Sequence, residues 1–124
     1  MRDGKYVILC IDDDPDVLNV LRLTIEANGY AMEEAYSAEE GLKKYKQVRP
    51  DFVIVDLMME SIDAGRAFAK ELIVLDNNAP LYMLSSVGNA MSQIIDAQSL
   101  GLDGILQKPI DPNCLLTLLR EKLK

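Results

Sequence analysis

The sequence contains no histidine, and this absence excludes more chemistry than any motif in the chain. Without imidazole, neither a Ser-His-Asp nor a Cys-His nucleophile system can be assembled, and a histidine-ligated zinc site is ruled out. Carboxylates, hydroxyls and lysines remain as the reacting or ligating groups. Cysteine is scarce as well, with Cys10 and Cys114 the only two. One lies in an apolar strand pattern and the other in an apolar helix pattern, so both are expected to be small buried hydrophobes rather than a disulfide or redox pair. Basic residues are outnumbered, 13 against 20 acids, for a net charge of −7. A domain so charged is repelled by phosphate backbones, which argues against direct nucleic-acid binding. Long apolar runs are missing too: stretches such as 52–55 and 115–116 fall far short of the roughly 20 residues that cross a bilayer, so no membrane span is expected. The opening Met1-Arg2-Asp3-Gly4-Lys5-Tyr6 leads straight into a strand-like segment, unlike a signal peptide, and a cytoplasmic chain is expected.

What is present suffices for one ordinary domain over residues 1–124, because 124 residues at 49% hydrophobic content can bury a single sizeable core. Tyr6 to Ile11 is uniformly apolar and rich in β-branched residues, the pattern of a central strand covered on both faces. Asp14-Pro15 then supplies a capping side chain followed by proline at the first helical position, and Leu18, Leu21 and Ile25 repeat at helical spacing until Asn28-Gly29. Tyr30 to Tyr36 reads as a weaker edge strand, its Glu33 and Glu34 discouraging stray pairing. A second helix starts in the capping-box pattern of Ser37 to Glu40, carries Leu42, Tyr45 and Val48 on its apolar face, and breaks at Arg49-Pro50-Asp51. Phe52 to Val55 is another doubly buried strand and delivers Asp56 at its carboxyl end.

The second half continues the alternation. A third helix is expected over about Ala64 to Leu75, a strand over Leu81 to Leu84 ending at Ser85-Ser86, and a fourth helix on Met91, Ile94, Ile95 and Leu100. A short strand at Ile105-Leu106 leads to Lys108-Pro109, and a last helix begins at Asp111 or Pro112 with Leu115, Leu118, Leu119 and Leu123 as its core face. Strands alternating with helices in this way specify an α/β fold, a doubly wound parallel sheet with helices on both faces.

Asp12 and Asp13 end the first strand, Asp56 the third, Ser85 the fourth, and Gln107-Lys108 the fifth, so every candidate polar group leaves the sheet at one edge. In open α/β sheets that edge forms the binding crevice where the strand order reverses. Three carboxylates gathered there would repel one another unless a divalent cation joined them. Mg²⁺ suits a few carboxylate oxygens with retained waters and can also bind a phosphoryl oxygen. A carboxylate beside it can attack phosphorus and form an acyl phosphate. Lys108 and the Ser85 hydroxyl would grip the remaining phosphoryl oxygens.

Taken together, Ile11-Asp12-Asp13-Asp14-Pro15, the run from Pro50 to Met59, Met83-Leu84-Ser85-Ser86 and Gln107-Lys108-Pro109 resemble the receiver domain of bacterial two-component response regulators across essentially the whole chain. The resemblance implies a flavodoxin-like sheet of strand order 2-1-3-4-5 with five helices. It implies Asp56 as phosphoacceptor, Asp12 and Asp13 as the acidic pair for Mg²⁺, the Met58 carbonyl as a further metal ligand, Ser85 as switch hydroxyl and Lys108 as the phosphate-gripping lysine. It also implies a sensor histidine kinase or phosphotransfer protein as donor and a downstream protein or effector domain as reader. A homodimer would form through the face of the fourth helix, fifth strand and fifth helix. Two positions depart from the family pattern: Ile105 stands where an aromatic is usual, and Glu60 where proline is usual.

Blander readings compete with each residue. Asp14 reads as a helix cap rather than a ligand, Met58-Met59 as packing, and Glu33-Glu34 and Glu39-Glu40 as solvated faces without function. For the whole chain the competing readings are a receiver-like interaction module with weak or no phosphate switching, and a Mg²⁺-dependent aspartyl phosphatase. The phosphatase reading lacks the usual DxD pattern, because Asp56 is followed by Leu57-Met58.

Overall fold

The two strands with no polar alternation are buried along their whole length: β1 (Val7–Ile11) and β3 (Phe52–Asp56). In the computed structural model, which describes residues 4–56, 62–75, 78–85, 103–107 and 110–123, they lie side by side and parallel, with Ile8 opposite Phe52 and Ile11 opposite Val55. β2 (Ala31–Ala35) flanks β1 on the outer side, while β4 (Leu81–Ser85) and β5 (Gly104–Gln107) extend the sheet beyond β3. The result is an all-parallel sheet of order β2-β1-β3-β4-β5. It is the order implied by the resemblance, with the acidic strand end β1 at the reversal point.

Four helices are described: α1 (Pro15–Ala27), α2 (Ala38–Val48), α3 (Ile62–Val74) and α4 (Pro112–Lys122). α4 is the last helix of the sequence reading; the helix expected around Met91 to Leu100 falls outside the described residues. Strand periodicity of two divides the core between the faces. Leu9, Ile11, Val53 and Val55 pack with Tyr45 of α2 and with Phe68 and Leu72 of α3. On the opposite face Ile8, Cys10, Phe52 and Ile54 pack with Leu18 and Leu21 of α1 and with Leu115 and Leu119 of α4.

The register that brings the strand mouths together is fixed at the other end of the sheet. Asp51, one residue before β3, donates its N–H to the Val7 carbonyl at 2.8 Å, and its Oδ2 accepts the Val7 N–H at 2.8 Å. Asp103 repeats the device on β4, donating to the Leu81 carbonyl at 2.8 Å and accepting the Leu81 N–H at 2.8 Å. A carboxylate that pairs with an otherwise orphaned strand-start N–H makes a charge-assisted bond, roughly twice as strong as a neutral one.

Several sequence expectations need correction. Cys114 is exposed, because the buried stripe of α4 runs through Leu115 and Leu119 and its neighbour lies one helical step, about 100°, away. Leu118 is only partly buried for the same reason. Glu33 and Glu34 are not a solvated face: Glu34 Oε1 accepts from Arg22 Nη2 at 2.6 Å and Nε at 3.2 Å, and Lys44 Nζ stands 3.5 Å from Glu33. The Tyr36 hydroxyl, 2.6 Å from Glu34 Oε2, and then the Arg22 guanidinium hold the Glu34 carboxyl below its ordinary range. A carboxyl lowered in this way adds stability at neutral pH and loses it as the pH falls through its folded value, an effect of at most about 1 kcal/mol at this exposure. Glu40 also has a structural part, accepting the Tyr36 N–H at 3.2 Å while Ser37 Oγ accepts the Glu40 N–H at 3.1 Å. α3 begins at Ile62, two residues before the expected start.

Gly41, inside α2, is buried against β1 and α3, and a Cβ there would stand 2.5 Å from Ile11 Cδ1 and 3.2 Å from Phe68 Cε2. Both neighbours are fixed in the core, at 0% and 1% exposure. Gly41→Ala is therefore expected to destabilise by about 1–2 kcal/mol, since overpacking outweighs the roughly 1 kcal/mol of helix propensity that alanine returns. A denaturant midpoint at or above that of the wild type would show instead that the α2 contact yields.

Candidate functional site

Asp12 directly follows β1, and its backbone N–H donates to the Ala35 carbonyl at 3.0 Å, so the strand mouth is still held by β2 at this point. Its side chain is fully buried, and Oδ1 accepts the Asp14 N–H at 2.9 Å. Asp14 is the N-cap of α1: its Oδ1 accepts the Asp16 N–H at 2.9 Å, and Pro15 occupies the first helical position. Asp13, between them, is exposed.

Asp56 is the last residue of β3, opposite Leu84 of β4, and is 4% exposed. Because Ile11 and Val55 are register partners, Asp12 and Asp56 are the next residues on two adjacent parallel strands. Each of Asp12, Asp13 and Asp56 offers a carboxylate oxygen, and these oxygens all lie within 4.8 Å of one another. Asp12 and Asp56 are also the two buried charged residues among those described. Burying carboxylates this close together opposes folding unless hydrogen bonds or a cation compensate, and an oxygen-only set of this kind fits a hard divalent ion.

The other sequence candidates are placed less fully. Ser85 ends β4 opposite Gln107 of β5, so its backbone lies at the same edge as Asp56; its side chain is outside the described residues. Ile105 pairs with Met83 in the backbone ladder. Met58, Glu60 and Lys108 lie outside the described residues. Cys10, the nearest thiol in sequence, is fully buried, and burial pushes it far above its ordinary range, which disfavours the thiolate a nucleophile needs. A groove of about 470 Å³ between β5 and α4, with Tyr82, Leu106 and Glu121 on its wall, is lined by none of Asp12, Asp13 and Asp56.

Sequence reasoning missed the Asp14 N–H to Asp12 bond, although it identified Asp14 as a cap. The signal was available: an aspartate two residues before another residue's N–H is the spacing of an Asx turn. No helix among the described residues is long and apolar enough to cross a membrane.

Comparison with known proteins agrees with this fold. A family model for the response regulator receiver domain matches residues 8–120. The DNA-binding dual master transcriptional regulator RpaA of Synechocystis sp. is 31% identical over 119 residues, covering 94% of this chain and 48% of that protein. The alkaline phosphatase synthesis transcriptional regulatory protein PhoP of Bacillus subtilis is 30% identical over 105 residues, covering 85% of this chain and 43% of that protein. The chain spans only 26% to 50% of the length of curated relatives such as these. Among solved structures, the chemotaxis protein CheY4 of Vibrio cholerae superposes with a TM-score of 0.87 at 26% identity, covering 97% of this chain and all of that one. A CheY-like receiver domain protein from Methanospirillum hungatei gives a TM-score of 0.86 at 25% identity, covering 97% of this chain and 94% of that one.

Proposed function

Because the chain belongs to the response regulator receiver domain family of two-component signalling, we propose that it accepts a phosphoryl group on Asp56 beside a Mg²⁺ ion held by Asp12, Asp13 and Asp56. The observation that carries this reading is the approach of the three carboxylates to within 4.8 Å at the mouths of neighbouring strands. Mg²⁺, when bound, offsets negative charge on the phosphoryl oxygens. The Met58 carbonyl would complete its protein ligands.

An Asp56 carboxylate oxygen attacks phosphorus; the new O–P bond forms as the P–N bond of a phosphohistidine donor breaks, and the electron pair stays on the departing imidazole nitrogen. A carboxylate nucleophile needs no general base, which suits a chain without histidine. Asp12 and Asp13 would hold the ion, Lys108 would hold a phosphoryl oxygen, and the Ser85 hydroxyl would donate to another. The donor is a sensor histidine kinase or phosphotransfer protein, and the loops after β3 and β4 change the surface read by a downstream protein or effector domain. The net charge of −7 fits output through a protein partner rather than direct nucleic-acid contact. The chain acts on itself, without a separate substrate.

Incubation with Mg²⁺ and a small acyl phosphate, followed by intact mass measurement, tests the reading. One added phosphoryl group is expected on the wild type and none on Asp56→Asn. An unlabelled wild type under donor excess would instead favour an interaction module, and steady hydrolysis of unrelated phosphoesters would favour a phosphatase.

A further inference from the structure

We propose that Asp14, which is not among the converging carboxylates, is a positioning residue for the metal site and acts through its backbone N–H on Asp12; this rests on the Mg²⁺ reading above. Two interlocked turns carry the argument. In the first, the Asp14 N–H donates to Asp12 Oδ1 at 2.9 Å, which fixes the rotation of the Asp12 carboxylate. In the second, Asp14 Oδ1 accepts the Asp16 N–H at 2.9 Å, which fixes Asp14 itself on the first turn of α1.

The backbone explains why both turns can close at once. Proline disfavours the helical region for the residue before it, and Asp14 is extended at φ −95° and ψ 109°. Its carbonyl still accepts the Leu18 N–H at 3.2 Å, and Leu18 is buried in the core. Asp12 is held from the other side by its 3.0 Å bond to the Ala35 carbonyl. A continuous line therefore runs from the packed face of α1, through the cap, to the rotation of a buried ligand carboxylate. Asp13 is the single residue between the two fixed points; it is exposed, yet it offers a carboxylate oxygen within 4.8 Å of those of Asp12 and Asp56.

Asp14 is exposed, its Oδ1 is engaged by the helix, and the oxygens that lie together belong to Asp12, Asp13 and Asp56. Its carboxylate thus serves as a clasp rather than as a ligand. Groups that hold a ligating carboxylate typically cost about 10–100-fold in metal affinity when lost. Removing the Asp14 side chain leaves the N–H in place but loosens its aim, so the loss should fall at the low end, roughly three- to tenfold.

Calorimetric titration of MgCl₂ into the whole chain at fixed ionic strength tests this with the wild type, Asp14→Ala and Asp14→Asn, each checked for folding by circular dichroism. Asparagine keeps the capping oxygen and removes the charge. The expected result is three- to tenfold weaker binding for Asp14→Ala and binding within twofold of wild type for Asp14→Asn. If Asp14→Ala fails to fold, Asp14→Gly takes its place, because glycine is among the residues favoured at an N-cap. Binding within twofold of wild type by the clasp-less variant would overturn the proposal. Equal weakening in the asparagine variant would overturn it too, by assigning the effect to charge. Absence of binding by every chain, wild type included, would remove the metal site on which the positioning role depends.

Discussion

In metal-free buffer, Asp56→Asn is expected to unfold at a higher temperature than the wild type, although the same change abolishes phosphoryl labelling. The reason is the crowding of Asp12, Asp13 and Asp56, whose oxygens lie within 4.8 Å, with two of the three residues buried. Two unit charges at that separation repel by on the order of 3 kcal/mol at the effective dielectric suited to protein sites. The exposure of Asp13 reduces its share, since solvent and salt screen it. An amide of the same shape removes one charge from the cluster without opening a cavity, so the gain should be about 1–3 kcal/mol, or roughly 4–12 °C in Tm for a domain of this size. Millimolar Mg²⁺ should then reverse the order of interest: a ligand that binds only the folded chain stabilises it by RT ln(1 + [L]/Kd), and the wild type gains more than the variant. Thermal melts with chelator and with Mg²⁺ read both effects. A wild type at least as stable as Asp56→Asn in chelator would mean that the three carboxylates do not oppose folding, and the case for a cation joining them would lose its physical basis.

The charges that make the site costly are also what made it legible. A polar residue directly after an uninterrupted apolar strand can sit only at the strand mouth, and parallel winding puts all such mouths at one edge; Asp12 and Asp56 follow from that rule alone. The helix starts were equally readable, because Asp14-Pro15 and Asp111-Pro112 bond as caps within two residues of themselves. Contacts made by topology were not. Arg22 and Glu34 are 12 residues apart and meet only because α1 packs beside β2, so nothing local marks Glu34 as paired. The Asp51 and Asp103 clasps bridge 44 and 22 residues and read in sequence as ordinary loop acids. Cys114 failed for another reason: it opens the short apolar run Cys114-Leu115-Leu116, three consecutive residues that cannot share one helix face, and composition does not set which of them turns inward. Gly41 carried a signal that was available but unspecific, since a mid-helix glycine tells of a close approach without telling to what.

The largest loss of stability is expected from Phe52→Ala, at the opposite end of β3 from the carboxylates. Phe52 is fully buried, and its ring stacks on Tyr82 with centroids 5.3 Å apart and planes 10° from parallel. Tyr82 in turn lies over Gly104, where a Cβ would stand 2.6 Å from its ring, so three neighbouring strands share one aromatic layer that only glycine on β5 admits. Truncation removes a large side chain from a layer whose neighbours are fixed by the sheet register and cannot collapse inward. The expected cost is about 3–5 kcal/mol, the usual range for a buried phenylalanine, which lowers Tm by roughly 12–20 °C. Leu23→Ala serves as the contrast, because Leu23 is 65% exposed and should change stability by no more than about 0.5 kcal/mol. Mg²⁺ affinity of the folded Phe52→Ala chain should stay within about twofold of wild type, since changes at well-separated sites act almost independently. A Tm drop below about 5 °C would show that the sheet does repack around the missing ring. A large fall in Mg²⁺ affinity would show that the aromatic layer and the strand mouths move as one unit rather than as the two ends of a rigid strand.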